Sequence, residues 1–373
     1  MLRYLTGGES HGRTLMAILD GFPAGLTVST DFINADLVLR QGGYGRGGRQ
    51  NLETDHVEFL SGVLHGTTTG APITLQVPNR DFRIEDLEEL KSPRPGHGDL
   101  AGSIKYESSI RSVLERASAR ETAVKVATGS LARLLLAEFG IDVLGYVVAI
   151  GSVDLTRDTG PMDLKPARER RAQSCAYTLV PERDTEIRNV IDQARDSGDT
   201  LGGIVEIRAT GLPFGLGSHV QWDRRLDGRL AQAVMAVQAI KGVEIGAGFD
   251  AARLPGSQVH DAIEFDETLV ETEHRGWRRS TNRAGGLEGG MTNSEPLVIR
   301  AAMKPIPTMR RGLPSVTMTD HQPVTAAYER SDVCAVPAAA IVLEAVVAIT
   351  LAGALCEKYG EDSVAEMKRR FRR

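Results

Sequence analysis

Apolar residues recur at helical spacing in three stretches of this 373-residue chain. Across 114–139, Val124, Ala127, Leu131, Leu134 and Leu135 fall on one stripe, and Gly140 follows as a residue suited to ending a helix. Across 227–241, Leu230, Val234, Val237 and Ile240 form a second stripe, with Gly242 next. The third stretch, 335–356, reads AVPAAAIVLEAVVAITLAGALC and is apolar all round, with Pro337 placed for a first helical turn. Shorter alternating or β-branched runs predict strands at 72–77, 141–151, 202–211 and 295–304. Strands and helices are interspersed without a strict β–α–β rhythm. That predicts an α+β fold, with antiparallel or mixed sheets packed on helices, rather than a doubly wound parallel sheet.

No period of 20–50 residues repeats and no long Pro/Ser linker divides the chain, so a single domain over 1–373 is expected. The charge-rich stretch 152–199, which contains RERRAQ, is the candidate surface insertion. Segment 335–356 is long enough to span a bilayer, but Glu344 in its middle and its Ala/Gly content favour a buried core helix.

Composition narrows the classes. Hydrophobic residues make up 41% and charged residues 25%, which fits a globular chain. Lys and Arg number 44 against 49 Asp and Glu, a net charge of −5, so an anionic ligand has to be met by locally clustered arginines, and non-specific nucleic-acid binding is disfavoured. Aromatics are 5% of the chain, which leaves few stacking platforms for single-stranded nucleic acid. Cys175, Cys334 and Cys356 are odd in number and lack CxxC spacing, so neither a disulfide framework nor a zinc site is expected and a reducing, cytoplasmic setting fits. The N-terminus lacks the basic and apolar regions of a secretory signal.

The candidate chemistry lies in glycine-rich segments. GGESHGRT at 7–14 sets His11 among glycines that let backbone N–H groups approach an anion, and the imidazole adds a donor or a proton. A turn with a surface histidine is the plain alternative. RQGGYGRGGRQ at 40–50 spaces Arg40, Arg46 and Arg49 by glycines, a pattern for gripping carboxylate or phosphate. A solvated loop and an RGG-like RNA-binding segment compete with that reading. PRPGHGD at 93–99 presents His97 on a proline-stiffened loop, suited to acid–base work, although a loop histidine is often simply solvated. In ERASARETA, 115–123, Arg116 and Arg120 stand at i and i+4 around Ser118; they suit a phosphate, or Glu115 and Glu121 make the face an ion-paired surface. RAGGLEGGMTN at 283–293, KPIPT at 304–308 and ERSDVC at 329–334 complete the set. GxxxxGK[ST] and HExxH are absent, as is GxGxxG in a strand–helix setting, which disfavours kinase, zincin and Rossmann readings.

Taken in order, GESHG, RPGH, ERASARETA, QAIKGVEIGAGF, NRAGGLEGGMTN, KPIPT and RSDVC resemble the successive signatures of the chorismate synthase family, from about residue 1 to 357. The resemblance implies conversion of 5-enolpyruvylshikimate 3-phosphate to chorismate and phosphate, the seventh step of the shikimate pathway. This trans-1,4 elimination requires reduced FMN without net redox change. It implies a β–α–β sandwich of two antiparallel sheets with helices on the outside, a homotetramer, and an external flavin-reducing system; some members also reduce flavin with NADPH. By resemblance, His11 meets the leaving phosphate, His97 protonates reduced flavin and Asp332 assists removal of the C6 proton. Flavin contacts map to Arg116, Ala117, Ser118, Gln238, Ala239, Gly289, Lys304, Pro305, Ile306, Pro307, Thr308 and Arg330. Arg40 and Arg46 match positions that grip substrate or NADP. Three departures stand out: RSDVC where RHDPC is common, Gly98 where Ala follows RPGH, and Gln238 where Asn precedes Ala239.

Overall fold

Alternation of apolar residues builds the first sheet. In β1 (Arg3–Gly7), β2 (Thr14–Asp20), β3 (Glu58–Ser61) and β4 (Ile73–Pro78), one face is supplied chiefly by Leu15, Ala17, Leu19, Ile73, Leu75 and Val77, all buried. Each buried Leu or Ile contributes about 1.5–3 kcal/mol relative to exposure. The strands run antiparallel in the order β1-β2-β4-β3, with Leu5 paired to Ile18 on the outer, exposed face. A computed structural model describes residues 2–47, 54–156, 163–329 and 331–371.

The second sheet is also antiparallel. It comprises β5 (Asp142–Ile150), β6 (Val153–Asp154), β7 (Gly203–Thr210), β8 (Ile240–Ile245) and β9 (Leu297–Met303), in the order β8-β9-β7-β5-β6. The predicted strands at 72–77, 141–151, 202–211 and 295–304 are therefore present. β1, β2, β3 and β8 went unrecognised among their glycines and short runs.

Helices lie between the sheets and also on the outer face of the second one. α1 (Thr30–Gln41) and α2 (Asp99–Tyr106) precede α3 (Ile110–Ala117) and α4 (Thr122–Ala137). α5 (Leu164–Gln173), α6 (Asp184–Asp196), α7 (Leu226–Met235), α8 (Val336–Tyr359) and α9 (Val364–Phe371) follow. α4 packs on β2 and β4 and on α8, and α8 packs on β5 and β7. α5, from the charge-rich 152–199 stretch, covers the far face of β5, where Leu164 and Ala167 meet Leu144, Tyr146 and Val148.

Two of the three predicted helices end differently. The 114–139 helix is broken at Ser118, whose backbone is extended and whose side chain accepts from the Arg120 N–H; α4 starts afresh at Thr122 after one 3-10 turn. Serine's local bond competes with helix continuation there. The 227–241 helix stops at Met235, and Ala239 takes a left-handed φ of 69° before the chain enters β8. Gly242 thus lies inside a strand.

The long apolar helix is α8. It is long and apolar enough to cross a membrane, but 94% of its apolar window is buried in the fold. Gly129 and Gly145 let it approach closely, since a Cβ at either would collide with Ala345 or with the Ala340 carbonyl. Glu344, at its centre, is 1% exposed. It accepts from the Gly145 N–H at 2.8 Å and pairs with Arg171 at 2.5 Å and Arg133 at 2.8 Å. Burial alone would raise this carboxylate; the charges of Arg133, Arg171 and Arg168 outweigh it and hold the group at about 2.

Replacing Glu344 by Gln strands buried guanidinium groups, and we expect a loss of about 3–5 kcal/mol in urea unfolding at neutral pH. Because the folded value is depressed, this stabilisation is present above the unfolded value of about 4.3 and is lost as pH falls toward 2. The gap between wild type and E344Q should therefore narrow from pH 5 downward; a pH-independent gap would contradict the pairing.

Candidate active site

Loops from both sheets and the start of α8 enclose a cavity of about 610 Å³. Ser10 and His11 enter from the β1–β2 connection, Arg40 and Arg46 from the end of α1 and beyond, and Arg94 and His97 from the loop before α2. Ala117, Ser118 and Arg120 come from the α3–α4 junction. Gln238 and Ala239 come from the turn before β8, and Met303, Lys304, Ile306, Pro307 and Thr308 from the end of β9 and the segment after it. Among the described lining residues, Arg40, Arg46, Arg94, Arg120, Lys241 and Lys304 face only two acids, Glu329 and Asp332. A chain of net charge −5 thus concentrates positive charge at one place, the condition for holding a multiply charged anion.

Three buried carboxylates stand behind this lining. Asp55 is fully buried; it takes Arg120 Nη1 at 2.7 Å and Arg40 Nη1 at 3.3 Å. Arg40 also donates from Nε to Thr122 Oγ1 at 3.0 Å. Burial pushes the Arg40 guanidinium down to about 9; Asp55 opposes the shift, while Arg120 and Arg46 add to it, and the group stays charged at neutral pH.

Asp99, also fully buried, is the first residue of α2. It accepts from Arg94 N at 3.0 Å, Nε at 2.8 Å and Nη2 at 3.0 Å, and lies 2.5 Å from His97 Nδ1. Burial would raise Asp99, yet hydrogen bonds from His97 and Arg94 hold it well below the usual carboxylate range. Arg94 Nη1 reaches on to Thr308 Oγ1 at 3.0 Å.

Glu115 is 2% exposed and faces His11: its oxygens lie 3.0 and 3.1 Å from Nδ1 and accept the His11 backbone N–H at 2.8 Å. Here too burial is outweighed by the bonds from His11, and the carboxylate is held low. Both histidines thus have a buried carboxylate against Nδ1.

Asp332 sits at the opposite wall, paired with Arg46 Nη1 at 2.8 Å and accepting the Gly47 N–H at 2.6 Å. Ser331, a departure from the common pattern, donates to the Thr308 carbonyl at 2.9 Å and so ties RSDVC to KPIPT. Lys304 Nζ donates to the Gly96 carbonyl; burial, then the charge of Lys241, lowers it. Gln238 Nε2 donates to Glu121 at 2.8 Å, while its buried Oε1 has no partner among the described residues. Ala239 holds its left-handed φ as its carbonyl accepts from Lys304 N at 2.9 Å. Backbone strain of this kind concentrates at functional sites.

His11, His97, Asp332, Arg40, Arg46, Ala117, Ser118, Gln238, Ala239, Lys304, Ile306, Pro307 and Thr308 all reach the cavity. Arg116 does not: it is exposed and donates to Gly8 O, Thr6 O and Thr6 Oγ1, fastening the β1–β2 hairpin. Because the helix breaks at Ser118, Arg116 and Arg120 do not share a face, and Glu115 and Glu121 are buried rather than a surface pair. Pro305 and Gly289 are exposed and do not line the cavity; Gly289 is in a left-handed turn between Glu288 and Gly290. Arg330 and Arg49 lie outside the described residues. Asp55, Asp99 and the role of Glu115 escaped the sequence reading. Only Asp99, two residues from His97, and Glu115, within ERASARETA, carried any local signal.

Known proteins resemble this chain along its whole length. The chorismate synthase family model matches residues 2–356. A chorismate synthase of Geobacter sulfurreducens is 54% identical, covering 100% of this chain and 98% of the relative. One from Desulforamulus reducens is 53% identical, covering 100% and 97%. A crystal structure of chorismate synthase superposes with a TM-score of 0.82 at 44% identity, covering 99% of this chain and 96% of that one. Agreement over the whole length in family model, sequence and fold shows that the chain belongs to the chorismate synthase family of carbon–oxygen lyases acting on phosphates.

Proposed function

We propose that the cavity carries out the trans-1,4 elimination of phosphate from 5-enolpyruvylshikimate 3-phosphate, with reduced FMN as cofactor and chorismate as product. The observation that carries this reading is the convergence of six cationic side chains and two carboxylate-backed imidazoles on one cavity. The substrate bears two carboxylates and a phosphate, and guanidinium groups meet such anions in bidentate fashion. Arg40, Arg46 and Arg120 are placed to neutralise them, each already oriented by Asp55 or Asp332.

The cavity suits a flavin. Its volume lies in the usual ligand range of about 300–1,000 Å³, and Met303, Ile306, Pro307 and Val237 give it an apolar wall. Gln238 lines this space, and its buried Oε1 has no partner among the described residues. Ala117, Ser118, Gln238, Ala239, Lys304 and Ile306 through Thr308 would hold the group. When bound, reduced FMN supplies electron density to the breaking C3–oxygen bond. His11 donates from Nε2 to the leaving phosphate while Glu115 steadies its Nδ1–H. His97 holds a proton toward the flavin side. Asp332, fixed by Arg46 and Gly47, assists removal of the C6 proton.

The finer architecture follows the same reading: one domain, a β–α–β sandwich in which α1, α4 and α8 form the middle layer. A homotetramer is supported by the exposed Leu5, Ile18 and Leu60 on the first sheet. Three free cysteines support a cytoplasmic setting, where an external system supplies reduced flavin.

Anaerobic incubation with photoreduced FMN and 5-enolpyruvylshikimate 3-phosphate should release phosphate and chorismate in equal amounts; absence of both would overturn the proposal. His11→Ala and Asp332→Ala should retain FMN binding, followed by flavin absorbance, while kcat falls about 10²–10⁴-fold. Wild-type turnover in either variant would refute its assigned role.

A further inference from the structure

The geometry points to Asp99 as a positioning residue: we propose that it fixes the proton of His97 on Nδ1, so that Nε2 is the nitrogen that exchanges protons with the contents of the cavity. Its consequence for turnover rests on the proposed elimination; the tautomer itself does not.

Two neighbours compete for His97 Nδ1. Asp99 Oδ1 lies at 2.5 Å and Arg94 Nη2 at 3.1 Å. A guanidinium nitrogen can only donate, so Arg94 would favour a bare Nδ1, whereas an ionised carboxylate can only accept and demands Nδ1–H. The shorter contact decides between them: the carboxylate oxygen at 2.5 Å takes the Nδ1 proton. Arg94 places its backbone N–H and Nε on Asp99 Oδ2, and Nη2 on Oδ1 at 3.0 Å. Its remaining nitrogen, Nη1, is satisfied by Thr308. Nη2 carries two hydrogens; one has its acceptor in the carboxylate at 3.0 Å, and the 3.1 Å contact to the imidazole is longer than the 2.5 Å one from Asp99. A bare Nδ1 would set one lone pair against another at 2.5 Å, a repulsion that the longer 3.1 Å contact from Arg94 Nη2 does not remove.

Asp99 is held in its acceptor state by its surroundings. It is fully buried, opens α2, where the helix N-terminus favours a negative charge, and receives three donors from Arg94. The anchor is rigid on the other side as well. Pro93 and Pro95 fix the approach, and Lys304 Nζ holds the Gly96 carbonyl next to His97. The loop, the helix and the KPIPT segment thus converge on one imidazole orientation and one tautomer.

Solid-state ¹⁵N NMR of histidine-labelled protein, with His97→Gln identifying the signal, reads the tautomer directly. Neutral His97 in the wild type should show a protonated Nδ1 and a bare Nε2. In Asp99→Asn, the amide oxygen keeps the two donors now on Oδ2, so its NH₂ faces Nδ1 and should invert the pattern. kcat for chorismate formation should fall about 100-fold or more while FMN binding persists. A residue that merely anchored Arg94 would leave the His97 tautomer unchanged in D99N. Nε2–H in the wild type would overturn the proposal, as would a D99N protein with unchanged tautomer and turnover. Should D99N fail to fold, the wild-type spectrum decides alone. Nε2–H in an enzyme that makes chorismate would sink the positioning role and leave the elimination standing; Nδ1–H without chorismate formation would do the reverse.

Discussion

A carboxylate withdrawn from water must find donors for its lone pairs, and in this chain three such groups decide what lines the cavity. Asp55 and Asp99 are fully buried and Glu115 nearly so. None of the three lines the cavity, yet each holds residues that do: Asp55 holds Arg40 and Arg120, Asp99 holds Arg94 and His97, and Glu115 holds His11. Cations crowded into a small volume repel one another, and at Arg40 burial lowers the guanidinium most, with Arg120 and Arg46 adding to it. The counter-charges beneath them make that crowding tolerable before any substrate arrives and fix each side chain in one orientation. Preorganised charge of this kind acts without reorganising during the reaction.

The same rule operates at the centre of the fold. α8 is apolar on every side because it lies between the second sheet and α4, with α1 and α7 also against it. Glu344 interrupts that apolar surface and gathers Arg133 from α4 and Arg171 from α5. Asp36 of α1 shares Arg133 at 2.6 Å, so one buried network joins four helices. The start of α8 lies at the cavity through Ala335, Ala338 and Ala339, so the helix that organises the core also forms the floor of the site.

Much of the fold was legible from periodicity. The four alternating runs became strands and 335–356 became α8, because burial on one face or on all faces writes directly into the sequence. The break at Ser118 was not legible: the apolar stripe runs on through it, and only the local bond to Arg120 N reveals the change. Nor was the strand at 240–245, where Val237 and Ile240 satisfy a helical stripe while the chain has already turned at Ala239. At the site, the glycine-framed residues His11 and His97 were legible because glycine marks a close approach, and the ordered motifs marked the family. Asp55 was not, because a buried counter-ion is defined by partners 15 and 65 residues away and leaves no pattern around itself.

Ligand should bind against this preset charge pattern without rearranging it. A crystal structure of the protein with FMN and 5-enolpyruvylshikimate 3-phosphate tests it most directly. It should show both ligands in the cavity, the phosphate against His11 and the arginines, and Asp55, Asp99 and Glu115 still on the partners they hold now. Ligands bound elsewhere, or carboxylates that release those partners to admit them, would contradict it.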